Sequence, residues 1–178
     1  MNRSRPTDEI RRAIEQGPIT EEYKADPKAI VSELNRLRST EIASYLQYKQ
    51  HAYMATSLMS PGLKDEFTAH ADIELQHADL LGERIQQLGG IPVFSPREIG
   101  RQAAEEGVTA EQGSTLSDMV AENLLLERQQ IVAYTKLIRE IGDGDLVTRR
   151  LLLGILEVTE KHASELSDYL KQRADTAK

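Results

Sequence analysis

The sequence predicts an all-α fold, a four-helix bundle, from three observations. Four long segments repeat their apolar residues at intervals of three and four, the spacing of one helix face, and no segment shows strand-like alternation. Gly, Pro and Asp residues cluster between the segments. Two of the three connections are short and one is long, which is the connectivity of a bundle with a long crossover between its second and third helices.

The chain has 178 residues, the size of one domain with a substantial core. Residues 1–25 are polar, so we interpret them as an N-terminal arm with one short helix from Asp8 to Gln16. Residues 26–174 form the predicted bundle. No apolar run approaches the ~20 residues of a membrane span, and the start of the chain is too polar for a secretory signal, so we expect a cytoplasmic protein with no membrane partner.

The composition excludes several kinds of site. The chain has no cysteine, which excludes disulfides, thiolate zinc sites, iron–sulfur clusters and cysteine nucleophiles. Any metal must therefore be held by His, Asp or Glu. The formal net charge of −7 argues against nucleic acid as the main partner and is compatible with gathering cations.

The first two long helices are antiparallel neighbours. An N-cap followed by proline, Asp26-Pro27, begins the first helix, and Ser60-Pro61-Gly62 ends it. The second helix, Leu63 to Leu88, follows at once, and so short a turn places the two side by side.

A long connection of broken periodicity, from Gly89 to Ser114, leads to the second pair. The third helix is predicted from Thr115 to Ile141 and the fourth from Asp145 to Gln172. A tight Gly142-Asp143-Gly144 turn joins them.

Each predicted helix carries polar residues on the face that should point into the core. Such residues are costly there unless they are paired, hydrogen-bonded or bound to a metal. All of them lie near the middle of their helices, so they should meet at one height in the bundle. They are Glu41 on the first helix, Glu74 and His77 on the second, Glu127 on the third, and Thr159 and His162 on the fourth.

This arrangement is typical of a dinuclear carboxylate site in the core of a bundle. A single inward Glu or His is more often a hydrogen-bonded core residue, but four helices with such residues at matching depth favour a metal site. Glu41 and Glu74 are separated by nearly the same number of residues as Glu127 and Thr159, so the two helical hairpins repeat one pattern. Oxygen-rich ligands with two imidazoles suit iron or manganese more than copper.

The polar positions lie in four short stretches: Glu41-Ile-Ala-Ser-Tyr-Leu-Gln-Tyr48, Glu74-Leu-Gln-His77, Leu-Leu-Leu-Glu127 and Ile-Leu-Glu-Val-Thr-Glu-Lys-His162. These stretches resemble the ligand-bearing segments of bacterioferritin and related Dps-like members of the ferritin-like superfamily. The resemblance covers about residues 28–172. It implies a ferritin-like four-helix bundle with the same long crossover and a polar N-terminal arm.

The resemblance also implies a function and a set of site residues. Tyr48 corresponds to the tyrosine beside the metal centre, where its catalytic role is to tune the metals, and His51 corresponds to a nearby histidine. The implied activity is oxidation of Fe(II) by O2 or H2O2, with the ferric product stored in a hollow homo-oligomeric shell. The implied ligands of a di-iron ferroxidase centre are Glu41, Glu74, His77, Glu127 and His162.

One departure from the family pattern affects the metal ligands. Thr159 stands where the family has a bridging glutamate. Glu160 and Glu157 do not replace it, because they are rotated by ~100° and ~200° around the helix. Three carboxylates with two Fe(II) ions leave positive charge in a buried site, so we expect weaker, asymmetric or mononuclear metal binding.

Two further departures concern haem and assembly. Leu75 stands where bacterioferritin has its haem-ligating methionine, so no haem is expected there. Residues 163–178 are too few for the fifth helix of bacterioferritin, which makes a 12-subunit shell plausible beside the 24-subunit one.

Several alternatives stay open at this point. The protein is a shell or metal-binding protein without ferroxidase turnover if Thr159 disables the centre, and a manganese catalase or hydroxylase would use similar ligands. A rubrerythrin-type peroxidase is disfavoured by the absence of cysteine, and DNA binding by the arginine-bearing arm has little support. His70, one turn before Glu74, is an extra ligand, part of an iron path, or a hydrogen-bonded core histidine.

Overall fold

A computed structural model describes residues 7–55, 60–109, 113 and 115–176, with side chains up to residue 173. This part of the chain contains helices and no strands. None of these helices has the length and apolarity needed to cross a membrane. The helices are α1 (Asp8–Gln16), α2 (Pro27–Met54), α3 (Pro61–Gln87), α4 (Pro96–Glu105), α5 (Leu116–Ile141) and α6 (Leu146–Thr176).

The four long helices form the predicted bundle. Helix α2 packs along α3, and α5 packs along α6, while α2 also contacts α5 and α3 contacts α6. The connection between α3 and α5 is the long one and contains α4. The all-α bundle with a crossover between its second and third long helices is therefore confirmed.

Local capping explains where the helices begin. The Asp26 carboxylate accepts a hydrogen bond from the Lys28 N–H at 2.9 Å, and Pro27 occupies the first turn of α2. Thr115 and Asp118 form a capping box at the start of α5. The short helix predicted in the arm is confirmed as α1, but it buries none of its residues.

The structure corrects one helix boundary and adds one helix. Helix α2 ends at Met54, earlier than the predicted end at Ser60, and residues 56–59 of that prediction lie outside the described residues. Helix α4 forms in the connection for which broken periodicity predicts no regular element. Only Ala103 of α4 is buried, and Gly100 in the middle of the helix weakens its local helix signal. A hydrogen bond of 2.8 Å from Ser39 Oγ to Gln102 Oε1 ties α4 to α2.

Two apolar clusters fill the bundle on either side of a polar layer. One contains Leu34, Leu81 and Leu152, and the other contains Phe67 and Leu166, all with 2% exposure or less. The inward glutamates and histidines lie between these positions along their helices. The apolar clusters therefore remove water from both ends of the polar layer.

A buried ion pair joins α3 to the start of α6. Arg84 Nη2 donates to both carboxylate oxygens of Asp145 at 2.9 and 3.0 Å, and Arg84 Nε donates to Thr148 Oγ1 at 2.8 Å. Asp145 also accepts from the Thr148 N–H at 2.9 Å, which caps α6. Tyr23 Oη donates to Asp145 Oδ2 at 2.9 Å and attaches the arm to the bundle.

Replacing Arg84 by Met should lower the free energy of unfolding by about 3 kcal/mol, because it leaves the Asp145 carboxylate as a buried charge without its cation. Urea unfolding of the metal-free chain at fixed protein concentration measures this loss. The matched control is Arg149→Met, which removes an ion pair with the exposed Asp143 and should cost less than about 1 kcal/mol. Equal losses in the two variants would contradict the role of the buried pair.

Candidate metal centre

Three carboxylates from three helices meet in the polar layer. Glu41 comes from α2, Glu74 from α3 and Glu127 from α5, and each is at most 1% exposed. Their positions follow from helical periodicity, because each interrupts an otherwise apolar inward stripe. A buried carboxylate is stable only with hydrogen-bond donors, positive charge, a proton or a metal ion beside it.

Two histidines complete the group that the sequence predicts. His77 Nδ1 lies 3.2 Å from Glu41 Oε2. His162 Nδ1 lies 3.5 Å from Glu74 Oε1 and 3.3 Å from Glu127 Oε1. The structure therefore brings all five predicted ligand residues together in one buried cluster.

Neutral side chains on α2 and α5 donate hydrogen bonds to these carboxylates. Tyr48 Oη donates to Glu127 Oε1 at 2.5 Å, and Tyr134 Oη donates to Glu41 Oε1. Gln130 Nε2 donates to Glu41 Oε1 at 3.0 Å and to Glu74 Oε2 at 3.2 Å. Each donor fixes the rotamer of the glutamate that it contacts.

Sequence reasoning missed Gln130. Its signal was present, because Gln130 lies three residues after Glu127 and therefore on the same helix face. The amide is 1% exposed, and it links the carboxylates of α2 and α3 to α5.

Whether the cluster fits a metal ion can be judged from its buried polar atoms that make no hydrogen bond. Among the described residues, Glu74 Oε1, Glu127 Oε2 and His162 Nδ1 are buried and make no hydrogen bond, although His162 Nδ1 faces Glu74 Oε1 at 3.5 Å. Two carboxylate oxygens and an imidazole nitrogen are ordinary ligands of iron and manganese. A bound cation would satisfy these atoms, so the residues present fit a metal.

Burial shifts the acid–base behaviour of the whole cluster. Loss of hydration raises the pKa of Glu41 to about 8, and the same effect raises the pKa values of Glu74 and Glu127 to about 7. Burial lowers the pKa of His162, but its contacts with Glu127 and Glu74 outweigh this and raise that pKa to about 9. Without metal, the cluster therefore retains protons near neutral pH.

Three other residues singled out in the sequence lie outside this cluster. Thr159 is 1% exposed, but its Oγ1 donates to the Ile155 carbonyl oxygen of its own helix at 3.0 Å. His51 is buried, with Nδ1 3.0 Å from Asn123 Oδ1. Leu75 is 42% exposed on the outer face of α3.

Comparison with protein families identifies the fold. A family model described as a ferritin-like domain matches residues 31–174, which is most of the chain. The chain belongs to the ferritin-like family. The predicted ferritin-like bundle is thereby confirmed, and the family is one of iron-storage proteins.

Relatives within the ferritin-like family have several names. A nutrient stress-induced DNA-binding protein of Synechococcus is 30% identical over 142 residues, covering 77% of this chain and 78% of the relative. The bacterioferritin of Desulfovibrio desulfuricans is 28% identical over 158 residues, covering 86% and 83%. A solved structure of a dodecameric thioferritin, the bacterioferritin-related protein of Bacteroides fragilis, matches with a TM-score of 0.80 and 29% identity, covering 86% of this chain and 91% of that one.

The metal-free ferritin-like chain should lose stability as pH rises from about 5 to about 9. The raised pKa values of Glu41 and His162 stabilise the fold fully below their usual values of 4.5 and 6.5, and this contribution disappears as pH rises through about 8 and about 9. Bound Mn²⁺ should reverse the trend, because it requires ionised carboxylates.

Urea unfolding with EDTA or with excess Mn²⁺ across this pH range checks the prediction. The Glu41→Gln variant is the control, since it removes the carboxyl group whose pKa is raised to about 8 and should flatten the metal-free slope. Metal-free stability that stays level or rises over this range would contradict it.

Proposed function

We propose that this ferritin-like protein binds Fe(II) in the buried cluster, oxidises it with O2 or H2O2 and sequesters the ferric product. The observation that carries the proposal is the group of three buried glutamates beside two imidazoles, in which Glu74 and Glu127 each have one oxygen atom without a hydrogen-bond partner among the described residues. The proposed ligands are those predicted from the sequence: Glu41, Glu74, His77, Glu127 and His162.

The charge of the ligands favours divalent cations. When ionised, Glu41, Glu74 and Glu127 carry three negative charges in a place from which water is removed. One divalent ion leaves one negative charge, whereas two leave one positive charge in the buried site. Iron is the proposed physiological metal because its two oxidation states permit electron transfer to O2 or peroxide, and manganese fits the same ligands.

Tyr48 is proposed to position a ligand and to hold a proton. Its hydroxyl donates to Glu127 Oε1, which leaves Oε2 as the oxygen without a partner. Burial raises the pKa of Tyr48 well above its usual value, so the hydroxyl stays protonated and remains a donor. Tyr134 likewise donates to Glu41 Oε1, and burial raises the pKa of Tyr134 so that its hydroxyl stays protonated.

A surface groove reaches one of the proposed ligands. His77 lines this groove between α3 and α6, together with Ile73, Leu80 and Val158. The groove therefore connects a proposed ligand with solvent.

The proposed assembly is a homo-oligomeric shell built from the bundle, residues 26–174. Support comes from the similarity to the dodecameric thioferritin of Bacteroides fragilis, which covers 91% of that chain. The native mass measured by light scattering distinguishes 12 from 24 subunits.

A second candidate is a ferritin-like protein whose centre binds metal without ferroxidase turnover. Thr159 supports it, because its hydroxyl is bonded to the Ile155 carbonyl of its own helix and supplies no carboxylate between two metals. The two candidates differ in whether bound Fe(II) is oxidised.

The Glu74→Gln variant should lose most of its oxidation of Fe(II) above the protein-free background, by about 10-fold or more, because the amide is a much poorer ligand than the carboxylate. The metal-free chain is titrated with Fe(II) without oxygen and then exposed to O2 or H2O2 while ferric absorbance is recorded. Glu157→Gln, an exposed glutamate on α6, is the matched control and should oxidise iron as the wild type does. Equal rates in all three proteins would refute the assignment.

The Thr159→Glu variant decides between the two candidates. If the natural centre is a working dinuclear site, the wild type should bind about two Fe(II) per chain and oxidise them quickly, and Thr159→Glu should change the rate by less than about 10-fold. Oxidation that appears only in Thr159→Glu would establish the second candidate instead.

A further inference from the structure

Gln130 is a buried amide in the middle of the proposed centre. It lies on α5 three residues after Glu127 and is 1% exposed. Its Nε2 donates to Glu41 Oε1 at 3.0 Å and to Glu74 Oε2 at 3.2 Å. A carboxylate oxygen accepts hydrogen bonds, so the amide atom that faces both oxygens is the nitrogen. Gln130 thus occupies one oxygen of each glutamate before any metal ion binds.

One side of the cluster is satisfied by hydrogen bonds, and we call its residues, Glu41 and His77, the hydrogen-bonded half. Glu41 Oε1 accepts from Tyr134 Oη as well as from Gln130 Nε2. Glu41 Oε2 lies 3.2 Å from His77 Nδ1. Ligand atoms of Glu41, His77 and Glu74 lie within 4.8 Å of one another, so a cation fits here. It would have to compete with contacts that are already made.

The other side of the cluster is not satisfied. Its buried atoms that make no hydrogen bond within the described part of the chain are Glu74 Oε1, Glu127 Oε2 and His162 Nδ1, and we call these three residues the open half. His162 Nδ1 lies 3.5 Å from Glu74 Oε1 and 3.3 Å from Glu127 Oε1. Neighbouring ligands of an octahedral ion with bonds of ~2.1 Å are roughly 3 Å apart, so these separations suit a shared cation.

Glu74 lies between the two halves, and each of its oxygens faces one of them. Oε1 faces His162, whereas Oε2 accepts from Gln130, which also bonds to Glu41. A metal ion in the open half uses Oε1, which accepts no hydrogen bond from the described residues. An ion in the hydrogen-bonded half requires Oε2, and taking that oxygen removes an acceptor from the buried Gln130 amide. Thr159 supplies no other bridging oxygen, because its hydroxyl bonds within α6.

His70 packs beside the open half without joining its ligands. Its ring stacks on the His162 ring, with centroids 3.8 Å apart and planes inclined by 14°. The in-plane lone pairs of the two rings therefore lie in near-parallel planes, and one metal ion cannot be bound by both. His70 Nε2 lies 3.4 Å from Glu165 Oε2, a carboxylate on the same helix as His162. His70 thus supports the ring that carries the ligand nitrogen of the open half.

We propose that Gln130 is a positioning residue that makes the two halves unequal, so that the first metal ion binds in the open half. The hydrogen-bonded half receives a second ion only after Glu74 Oε2 exchanges its bond with Gln130 for a bond to the metal. This inference rests on the proposed function, since it concerns the same buried cluster. It adds an order in which the two positions fill and a residue that sets this order.

Mn(II) titration of the metal-free full-length chain without oxygen, followed by electron paramagnetic resonance, tests which half fills first. His162→Leu removes a ligand of the open half and should weaken the first Mn(II) by about 100-fold. The matched variant His77→Leu removes an equally buried imidazole from the hydrogen-bonded half and should weaken it by less than about 10-fold. Equal losses, or a larger loss in His77→Leu, would overturn the inference.

The variant Gln130→Glu tests the role of the amide. It replaces the N–H donor by a carboxylate oxygen beside Glu41 and Glu74, so a second Mn(II) should bind about 10-fold or more tightly than in the wild type. The two ions should then give a spin-coupled signal. Gln129→Glu adds the same charge one residue earlier on α5, beside a surface pocket, and should bind Mn(II) as the wild type does. An unchanged second affinity in Gln130→Glu would overturn the role of Gln130.

A measurement on the wild type alone does not depend on the folding of any variant. The second Mn(II) should bind at least about 10-fold more weakly than the first, because it must displace the Gln130 N–H from Glu74. The first equivalent should give the signal of an isolated ion, and a spin-coupled signal at that ratio would overturn the inference. A first ion in the hydrogen-bonded half would overturn the inference and leave the proposed function intact. A wild type that binds neither Mn(II) nor Fe(II) would overturn both.

Discussion

The burial of three glutamates at one level of the bundle is the constraint on which the surrounding structure depends. Glu41, Glu74 and Glu127 lose nearly all contact with water, and burial disfavours their charged forms. Tyr48, Tyr134 and Gln130 offset part of this cost, because each donates a hydrogen bond to at least one of these carboxylates. Two oxygens that these donors do not contact face histidines: Glu41 Oε2 lies 3.2 Å from His77 Nδ1, and Glu74 Oε1 lies 3.5 Å from His162 Nδ1.

Different helices contribute the imidazoles and the neutral hydrogen-bond donors. Helices α3 and α6 contribute the imidazoles of His70, His77 and His162, whereas the hydroxyl and amide donors lie on α2 and α5. The α3–α6 side is also the side on which the groove beside His77 reaches solvent. The hydrogen bonds that fix the carboxylates belong to the opposite side. In the proposed function, a metal ion takes the place of protons in the cluster while those donors stay bonded.

Much of the fold and of the candidate site could be predicted because both depend on local periodicity. Residues such as Leu34, Leu81 and Leu152 define helix faces over many turns, and the inward glutamates stand out as interruptions of those faces. Helix α4 was not predicted, because it is short and contains Gly100, and glycine is a poor helix former.

The details of the site depend on contacts between helices, which periodicity does not report. Gln130 could be placed on the inward face of α5, but its bonds to Glu41 and Glu74 require the docking of three helices. His70 is similar: its position on α3 follows from spacing, whereas the direction of each ring nitrogen depends on α6. The buried ion pair between Arg84 and Asp145 is likewise a contact between distant parts of the chain.

The proposed ligands are distributed unequally over the two helical hairpins, and this has a consequence for folding. Glu41, Glu74 and His77 all belong to the hairpin of α2 and α3, whereas Glu127 and His162 belong to the hairpin of α5 and α6. A metal ion held by residues of both hairpins would bind only when the two halves have docked, and by mass action it would hold them together. Occupancy of such a shared position would then act as a checkpoint for completed tertiary assembly.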